Sequence, residues 1–299
     1  MPPSDAAARV GVAHAEDRVA IARSDDREVR ATAERARALR VEGEQGRSIE
    51  ASIAAEVPVA LAYNGVSHVV MMATPADLAD FAIGFSLSEG ILADLSELRE
   101  LAVDDGEDGV SVSLEVAPRA QQALEGRRRN LTGRTGCGLC GVDELAQVAR
   151  PLDHVGAGAR IGVAAIRRAL AALAAHQAIN RATGAVHAAA WADAAGEIRL
   201  VREDVGRHNA LDKLIGAMAR AGLDPASGFA VITSRCSFEM VQKAATVGIS
   251  VLVAISAPTG MALRIAEQAG VTLVALARAD SVTLYANPGR ITGIEKAAP

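Results

Sequence analysis

Two cysteines separated by two residues are the part of this chain whose residue types most directly suggest chemistry. Cys137 and Cys140 lie in the stretch TGRTGCGLCG at residues 132–141, which also holds four glycines. The chain has 299 residues and only three cysteines, which argues against a disulfide framework as the role of the pair. The spacing therefore indicates a reactive or metal-binding site on a glycine-rich loop.

Three roles fit this Cys-x-x-Cys pair. A structural zinc site needs four ligands, but only Cys236 and scattered histidines remain, and no second Cys-x-x-Cys is present. A thioredoxin-like redox pair would open a helix directly after a strand, whereas glycines precede this pair. A nucleophilic thiolate that carries sulfur or another group is the third role. Arg134 and the helix predicted from VDELAQVA would both favour a thiolate, but the residues alone leave the three roles open.

A second concentration of polar residues lies in the stretch REDVGRHNALDKL at residues 202–214, between a predicted strand and a predicted helix. A connection that only capped a helix would need one or two such residues. We therefore expect Arg207 and His208 to position a substrate or to manage protons, because imidazole titrates near neutral pH and arginine stays charged. For His187, in GAVHAAAW, a buried hydrogen-bonded ring is the plainer interpretation. Besides Arg202, the polar residues of the stretch are Glu203, Asp204, Arg207, His208, Asn209, Asp212 and Lys213.

Three loops that follow predicted strands are rich in small hydroxyl residues: TSRCS at 233–237, SAPTG at 256–260 and RADS at 278–281. Two of them bring an arginine, Arg235 and Arg278. This composition favours a phosphate or another anionic group beside helix N-termini, although the hydroxyls alone could be helix caps. Cys236, inside the first loop, is interpreted as a small apolar filler because a single buried cysteine usually has that role.

The chain divides into four segments that must position these residues. Residues 1–45 hold almost no large apolar side chain and are predicted to be a disordered, mobile tail or a loose helix. Residues 46–130 are predicted to form a smaller α+β domain, with a hairpin around the Asn-Gly turn of VPVALAYNG, a helix capped by Thr74-Pro75, and a strand in VSVSLEV. Residues 131–150 form the glycine-rich connector, and residues 151–299 form a C-terminal α/β domain.

The C-terminal domain is predicted from alternating strands and helices. FAVIT, ISVLVAIS and VTLVALA are apolar at nearly every position, which is typical of strands covered on both faces in a parallel sheet. Ligands of such sheets bind beyond the carboxyl ends of the strands, where the three hydroxyl-rich loops lie. The fold class is therefore α/β.

Composition narrows the possible functions. Half of the residues are hydrophobic and 22% are charged, so the chain can bury a large core. The formal net charge of -5 argues against a nucleic-acid binder, in spite of a local basic patch at Arg127, Arg128, Arg129 and Arg134. No apolar run suggests a membrane span or a secretory signal, so we expect a cytoplasmic protein with reduced thiols.

Several long motifs in a fixed order together resemble one known family. They are RTGCGLCG, EDVGRHNALDK, SRCSFEMVQK and SAPTG, accompanied by VPVALAYNG and GFSLSEG. From about residue 57 to about residue 288 the chain resembles the FdhD family, the formate dehydrogenase accessory sulfurtransferases. The predicted tail lies outside this resemblance.

The resemblance implies a sulfurtransferase that acts as a sulfur carrier. Cys137 matches the cysteine that accepts sulfur from a cysteine desulfurase as a persulfide, and Cys140 matches its companion. The acceptor is the molybdenum or tungsten bis(molybdopterin guanine dinucleotide) cofactor, bound as substrate before it enters formate dehydrogenase. A homodimer with no nucleic acid and no membrane partner is expected. The implied C-terminal fold is cytidine deaminase-like, but Ala188 and Ala189 follow His187 and no Pro-Cys-x-x-Cys is present, so deamination is not expected.

The resemblance also implies a guanine nucleotide pocket after the last helix-flanked strand, with guanosine diphosphate as a partial analogue of the cofactor. No resident metal site is expected. The alternative function is a non-catalytic cofactor-binding chaperone with a structural zinc at the Cys-x-x-Cys pair. The residues expected to bind the cofactor are Leu276, Ala277, Arg278, Ala279, Asp280, Ser281, Arg235, Thr259, Arg207 and His208.

Overall fold

The computed structural model describes residues 20–21, 31–128 and 151–294. Cys137, Cys140 and the whole connector predicted at 131–150 lie outside the described residues. The elements of the first half are β1 (Ala20–Ile21), β2 (Ala33–Glu42), β3 (Gln45–Ala54), β4 (Val57–Tyr63), β5 (Val66–Ala73), α1 (Leu78–Ser88), β6 (Leu98–Gly106), β7 (Gly109–Val116) and α2 (Pro118–Arg128).

The second half begins after the connector and contains a larger sheet with its flanking helices. Its elements are β8 (Ile161–Gly162), α3 (Val163–His176), α4 (Ala178–Thr183), β9 (His187–Asp193), β10 (Ile198–Asp204), α5 (Arg207–Arg220), β11 (Gly228–Ile232), α6 (Phe238–Thr246), β12 (Val251–Ala254), α7 (Gly260–Ala269), β13 (Thr272–Ala275), β14 (Thr283–Ala286) and β15 (Ile291–Thr292).

The first sheet has the strand order β1-β6-β7-β4-β5. The predicted hairpin is confirmed: β4 and β5 pair antiparallel around Asn64 and Gly65, whose φ angles of 46° and 75° are those of a tight hairpin turn. The Asn64 side chain accepts a hydrogen bond from the Val116 amide at 2.7 Å and donates to Gln121 at 2.7 Å. The turn residue therefore also holds the hairpin to the end of β7.

The structure changes one boundary of the predicted tail. Strand β2 lies inside residues 1–45 and pairs with β3 over ten positions, from Ala33 opposite Ala54 to Glu42 opposite Gln45. Most side chains of this hairpin are exposed. Backbone pairing, which composition does not report, thus orders a stretch that lacks the large apolar residues of a core strand.

The start of helix α1 also differs from its prediction. The helix is confirmed, but it begins at Leu78, and its N-cap residue is Asp77, with φ 53° and no capping hydrogen bond from its side chain. Thr74 has a long-range role in place of a cap. Its hydroxyl accepts a hydrogen bond from the Val205 amide at 3.1 Å, and its own amide donates to Asp204 at 3.0 Å.

The second sheet has the order β10-β9-β11-β12-β13-β14 and is mixed. The predicted parallel pairing is correct for β11, β12 and β13. The two margins, for which the sequence predicted no pairing, are antiparallel: β9 runs antiparallel to β10 and β11, and β14 runs antiparallel to β13. Short connections join β9 to β10 and β13 to β14, and a short connection can only return the chain in the opposite direction.

Both faces of this sheet are covered, as the continuous apolar strands predicted. In β11, Phe229 and Val231 pack on the side of α3, while Ala230 and Ile232 pack on the side of α5, α6 and α7. The second of these cores continues into the first sheet, because α1 lies between that sheet and α5. One continuous apolar core therefore joins the two sheets.

Candidate functional site

The carboxyl ends of β10, β11, β12 and β13 lie at one edge of the second sheet. Helices α5, α6 and α7 all begin at this edge, directly after β10, β11 and β12. The loops are bonded to one another: the Thr259 amide donates to the Cys236 carbonyl at 3.0 Å, and the Leu276 amide donates to the Ser256 carbonyl at 3.2 Å. The three hydroxyl-rich loops therefore lie side by side, as expected from the strand order.

Most charged residues of the stretch at 202–214 hold the fold together. Asp204 pairs with Lys213 at 2.7 Å, and both side chains are fully buried. Glu203 accepts hydrogen bonds from the amides of Ile179 and Asn180, at 2.8 and 2.9 Å, and so caps α4. A buried charge needs a partner, and these partners come from the same fold rather than from a ligand.

Asp212 and Asn209 extend this structural network toward the first sheet. Lys243 donates to both carboxylate oxygens of Asp212 at 2.9 Å, and the Ser88 hydroxyl donates to Asp212 at 2.6 Å. The Asn209 side chain donates to the Met72 carbonyl at 2.8 Å. Helices α1, α5 and α6 are thereby joined through one buried polar cluster.

Arg207 and His208 remain outside this network and face the sheet edge. The Oε2 atom of Glu239 lies 4.0 Å from His208 Nε2. Burial lowers the pKa of His208 to about 3, with further lowering by the positive charges of Arg207 and Lys243. The imidazole is therefore neutral near pH 7.

His187 lies at the same edge, at the start of β9. Its ring is half-buried and makes no hydrogen bond within the part of the chain that the structure describes, which differs from the hydrogen-bonded core histidine expected above. Burial, followed by the Arg207 charge, lowers the pKa of His187. Two histidines and an arginine thus share one electrostatic environment.

Residues 276–281 form a closed loop beyond β13. Leu276 has a φ angle of 49°, Ala277 is buried, and the Arg278 amide donates to the Ser281 carbonyl at 2.7 Å. The Arg278 guanidinium donates to the Ala277 carbonyl at 3.0 Å and also to the Ile255 carbonyl. The side chains of Ala279, Asp280 and Ser281 are exposed. The loop lies where the sequence placed it, but its arginine already bonds to neighbouring backbone.

The remaining residues expected at the site differ in whether their side chains are free to bind a ligand. The Thr259 hydroxyl accepts a hydrogen bond from the Ala262 amide at 3.2 Å and so serves as the cap of α7. Arg235 is exposed at the end of β11. Cys236, next to it, is fully buried, and burial raises the pKa of its thiol to about 12. A thiol that stays protonated at neutral pH is a poor nucleophile, which agrees with the filler role.

Glu239 was not among the residues expected at the site, and Ser237 was named only within the hydroxyl-rich loop at 233–237. Both belong to the start of α6, where Ser and Glu are the residue types expected for an ordinary helix cap and first turn. In the structure, four polar atoms at this edge are buried without a hydrogen-bond partner among the described residues: Arg207 Nε, His208 Nε2, Ser237 Oγ and Glu239 Oε2.

Neither a metal cluster nor a membrane span is found in the described part of the chain. Residues 31–128 and 151–294 hold no group of three or more His, Cys, Asp or Glu side chains arranged for a metal ion. Because Cys137 and Cys140 lie outside these ranges, the zinc interpretation of the pair stays open. Among the described helices, none is long and apolar enough to span a membrane.

The fold and the sheet edge define an α/β protein of the kind whose ligands bind at the carboxyl ends of strands. Residues 54–292 match the FdhD/NarQ family, and the chain therefore belongs to this family. A sulfur carrier protein FdhD of Xanthomonas euvesicatoria is 53% identical over 249 residues, covering 83% of this chain and 89% of that protein. A sulfur carrier protein FdhD of Cupriavidus necator is 53% identical over 239 residues, covering 80% and 83%.

A solved structure has the same fold. It is described as a formate dehydrogenase accessory protein from Desulfotalea psychrophila, and it superposes with a TM-score of 0.70 over 88% of this chain and all of that chain. Its sequence identity to this chain is 22%, so the similarity establishes the mixed α/β architecture and does not extend to individual site residues.

Proposed function

We propose that this chain is a sulfur carrier that serves the maturation of formate dehydrogenase. Sulfur passes from a cysteine desulfurase to Cys137 as a persulfide, with Cys140 as its companion. Cys137 then transfers that sulfur to a molybdenum or tungsten bis(molybdopterin guanine dinucleotide) cofactor, bound as substrate. The names of relatives that are 50–53% identical to this chain support the sulfur-carrier role.

The observation that carries the proposal is the polar edge of the second sheet. Arg207, His208 and Arg235 stand at the carboxyl ends of strands, beside the N-termini of three helices. Positive helix ends and guanidinium groups are suited to the diphosphates of such a cofactor. The neutral His208 ring can accept or donate a hydrogen bond there without adding a charge.

The persulfide step is tested by mass spectrometry of the intact protein. Incubation with a cysteine desulfurase and cysteine should add about 32 Da, one sulfur atom, at Cys137. Cys137→Ala should abolish both this gain and the activity of the client formate dehydrogenase. Cys236→Ala is the matched control, because the Cys236 thiol is buried and protonated. Cys140→Ala should have a milder effect.

Two outcomes would contradict the persulfide assignment. Full client activity with Cys137→Ala would end it. Equal losses at Cys137 and Cys140, together with tightly held stoichiometric zinc, would instead favour the chaperone with a structural metal site.

The cofactor site is tested separately with guanosine diphosphate. Arg235→Ala should weaken its binding by roughly tenfold to a hundredfold, the contribution of one charged hydrogen bond. Arg278→Ala should have a smaller effect, since that guanidinium already donates to Ala277 and Ile255. Persulfide loading of Cys137 should be unchanged in both variants. Calorimetric titration, run beside the mass measurement, checks both expectations. Unchanged affinity for guanosine diphosphate in both variants would show that these loops do not form the pocket.

A further inference from the structure

We propose that Ser237 and Glu239, together with Arg207, bind the cyclic amide edge of a fused pyrimidinone ring, in which a ring N–H and a carbonyl lie side by side. Guanine and pterin both present this 2-amino-4-oxopyrimidine edge. The inference rests on the proposed function, because both rings belong to the substrate proposed there. It adds Ser237 and Glu239 to that site and specifies the hydrogen bonds that would recognise the ring.

The hydroxyl of Ser237 is the first observation. Ser237 occupies the N-cap position of α6, where a serine side chain ordinarily accepts a hydrogen bond from the helix, but its hydroxyl makes no such bond. It is buried and has no partner among the described residues. Thr259 occupies the same position on α7 and does cap its helix. The hydroxyl of Ser237 is therefore available to a ligand in a way that the hydroxyl of Thr259 is not.

The carboxylate of Glu239 is the second observation. Its Oε2 atom is buried without a partner, and the only titratable group that approaches it within ion-pair distance among the described residues is His208, at 4.0 Å. Lys243, one turn further along α6, does not compensate this charge. All three of its N–H groups are directed to Asp212, Glu89 and Ser88, at 2.9 to 3.0 Å.

The mixture of groups restricts the ligand. Beside His208 the Glu239 carboxylate repels a phosphate, which leaves the diphosphates to Arg235, and the Arg207 charge near His208 disfavours a cation. A neutral group that offers a donor to Glu239 and an acceptor to Arg207 or Ser237 satisfies all three. A buried polar atom without a hydrogen bond is unfavourable, so a ligand that supplies the missing hydrogen bonds gains affinity from them.

Adenine lacks this pattern and serves as the discriminating comparison. The adenine ring nitrogen at the corresponding position carries no proton and can only accept a hydrogen bond. Its lone pair would therefore face the lone pairs of the Glu239 carboxylate, which is unfavourable. Hypoxanthine keeps the ring N–H and the carbonyl but lacks the 2-amino group. Inosine diphosphate therefore tests the 2-amino group alone, and adenosine diphosphate tests the ring N–H and the carbonyl together.

The experiment is calorimetric titration of guanosine, inosine and adenosine diphosphates, and of 6-hydroxymethylpterin, into the full chain. Wild type should prefer guanosine over adenosine diphosphate by at least about tenfold, because adenine has no ring N–H to donate to Glu239. Inosine diphosphate keeps that N–H and should bind about as tightly as guanosine diphosphate. In Glu239→Gln this preference should fall to within about twofold. Ser237→Ala should weaken the binding of guanosine and inosine diphosphates. Glu267→Gln changes an exposed residue of α7 and is the matched control.

The pterin arm separates the two sources of the edge. If pterin binding is lost in Glu239→Gln while nucleotide preference is unchanged, the subsite takes the pterin. If neither the nucleotide preference nor pterin binding responds to Glu239→Gln and Ser237→Ala in folded protein, the inference is overturned. Persulfide loading of Cys137 is measured on the same samples. If Cys137 gains no sulfur while the preference for guanosine diphosphate is intact, the proposed sulfur transfer is rejected and the ring-binding subsite is still supported.

Discussion

At the scale of single residues, neighbouring charged side chains in one short stretch have opposite roles. Asp204 and Lys213 are fully buried and neutralise each other, and Asp212 is held by Lys243. Arg207 and His208 lie between them in sequence but turn toward the sheet edge. The reason is geometric: successive positions at a helix start point in different directions, so adjacent residues meet different surroundings.

The low pKa of the buried His208 ring predicts that the free energy of unfolding decreases at acidic pH. Its folded-state pKa of about 3 is below the ordinary unfolded value of about 6.5, so below pH 6.5 the unfolded chain takes up a proton that the folded chain does not. Stability is unaffected above pH 6.5 and is lost as the pH falls toward 3. The groups that face the ring are Arg207, Lys243, Glu89, His187 and Glu239.

His208→Gln removes this dependence. The difference in unfolding free energy between wild type and the variant should change by about 2 kcal/mol between pH 6.5 and pH 4.5, wild type losing more. Urea unfolding at a series of pH values measures it, and the exposed His176→Gln is the matched control. Parallel pH profiles for wild type and His208→Gln would show that the ring is charged in the folded protein.

At the scale of elements, the approach of α1 to α5 depends on two glycines. A Cβ atom built on Gly84 would lie 1.7 Å from the Asp212 carbonyl oxygen, and one on Gly216 would lie 1.9 Å from the Asp80 carbonyl oxygen. The clash is with backbone, which cannot rotate away as a side chain can. The two helices can therefore be this close only because both positions lack a side chain.

Gly84→Ala should force α1 and α5 apart. We expect a loss of at least about 3 kcal/mol in unfolding free energy, the upper part of the range for overpacked cores. Gly289→Ala is the control, since an added methyl group there meets no atom within 4 Å. The urea midpoint of each variant measures the effect. Equal midpoints for Gly84→Ala and wild type would mean that the helices are further apart than described.

At the scale of the whole molecule, a continuous core and a buried ion pair connect the two sheets. Lys213 donates to the Thr74 carbonyl at 2.9 Å, just after β5, and pairs with Asp204 at the end of β10. Asp204 in turn accepts a hydrogen bond from the Thr74 amide. These bonds couple the first sheet to the second, so we expect the described residues to unfold as one cooperative unit.

Lys213→Met tests this coupling. Removing one partner leaves Asp204 buried and uncompensated, which should cost about 3–5 kcal/mol. Arg35→Met, which breaks the exposed pair with Glu50 at 3.6 Å, should cost less than about 1 kcal/mol.

The measurement follows both sheets during urea unfolding. Fluorescence of the single tryptophan, Trp191 in β9, reports the second sheet, and hydrogen exchange of the β4 amides reports the first. Both signals should shift together to a lower urea concentration in Lys213→Met. Two separate transitions would show that the sheets unfold independently.

Local patterns in the sequence were sufficient for much of the fold. The Asn-Gly hairpin, the alternation of strands and helices from β11 to β13 and the fully apolar character of these strands follow from turn chemistry and periodicity, which depend only on neighbouring residues. The shared edge of the three hydroxyl-rich loops follows as well, because parallel strands end on the same side. The family motifs, including the pair Cys137 and Cys140, are likewise a property of the sequence.

Tertiary structure alone decided which distant groups meet. Periodicity reports that a position is buried, but it does not say that Asp204 meets Thr74 or that Gly84 meets the backbone of Asp212. The same limit explains why the sequence did not reveal the antiparallel margins of the second sheet or the ordered strand β2. It also explains the Ser237 hydroxyl, which makes no capping hydrogen bond to its helix. Each of these depends on contacts between segments far apart in the chain, and such contacts are set by the packing of whole elements rather than by the local pattern of residue types.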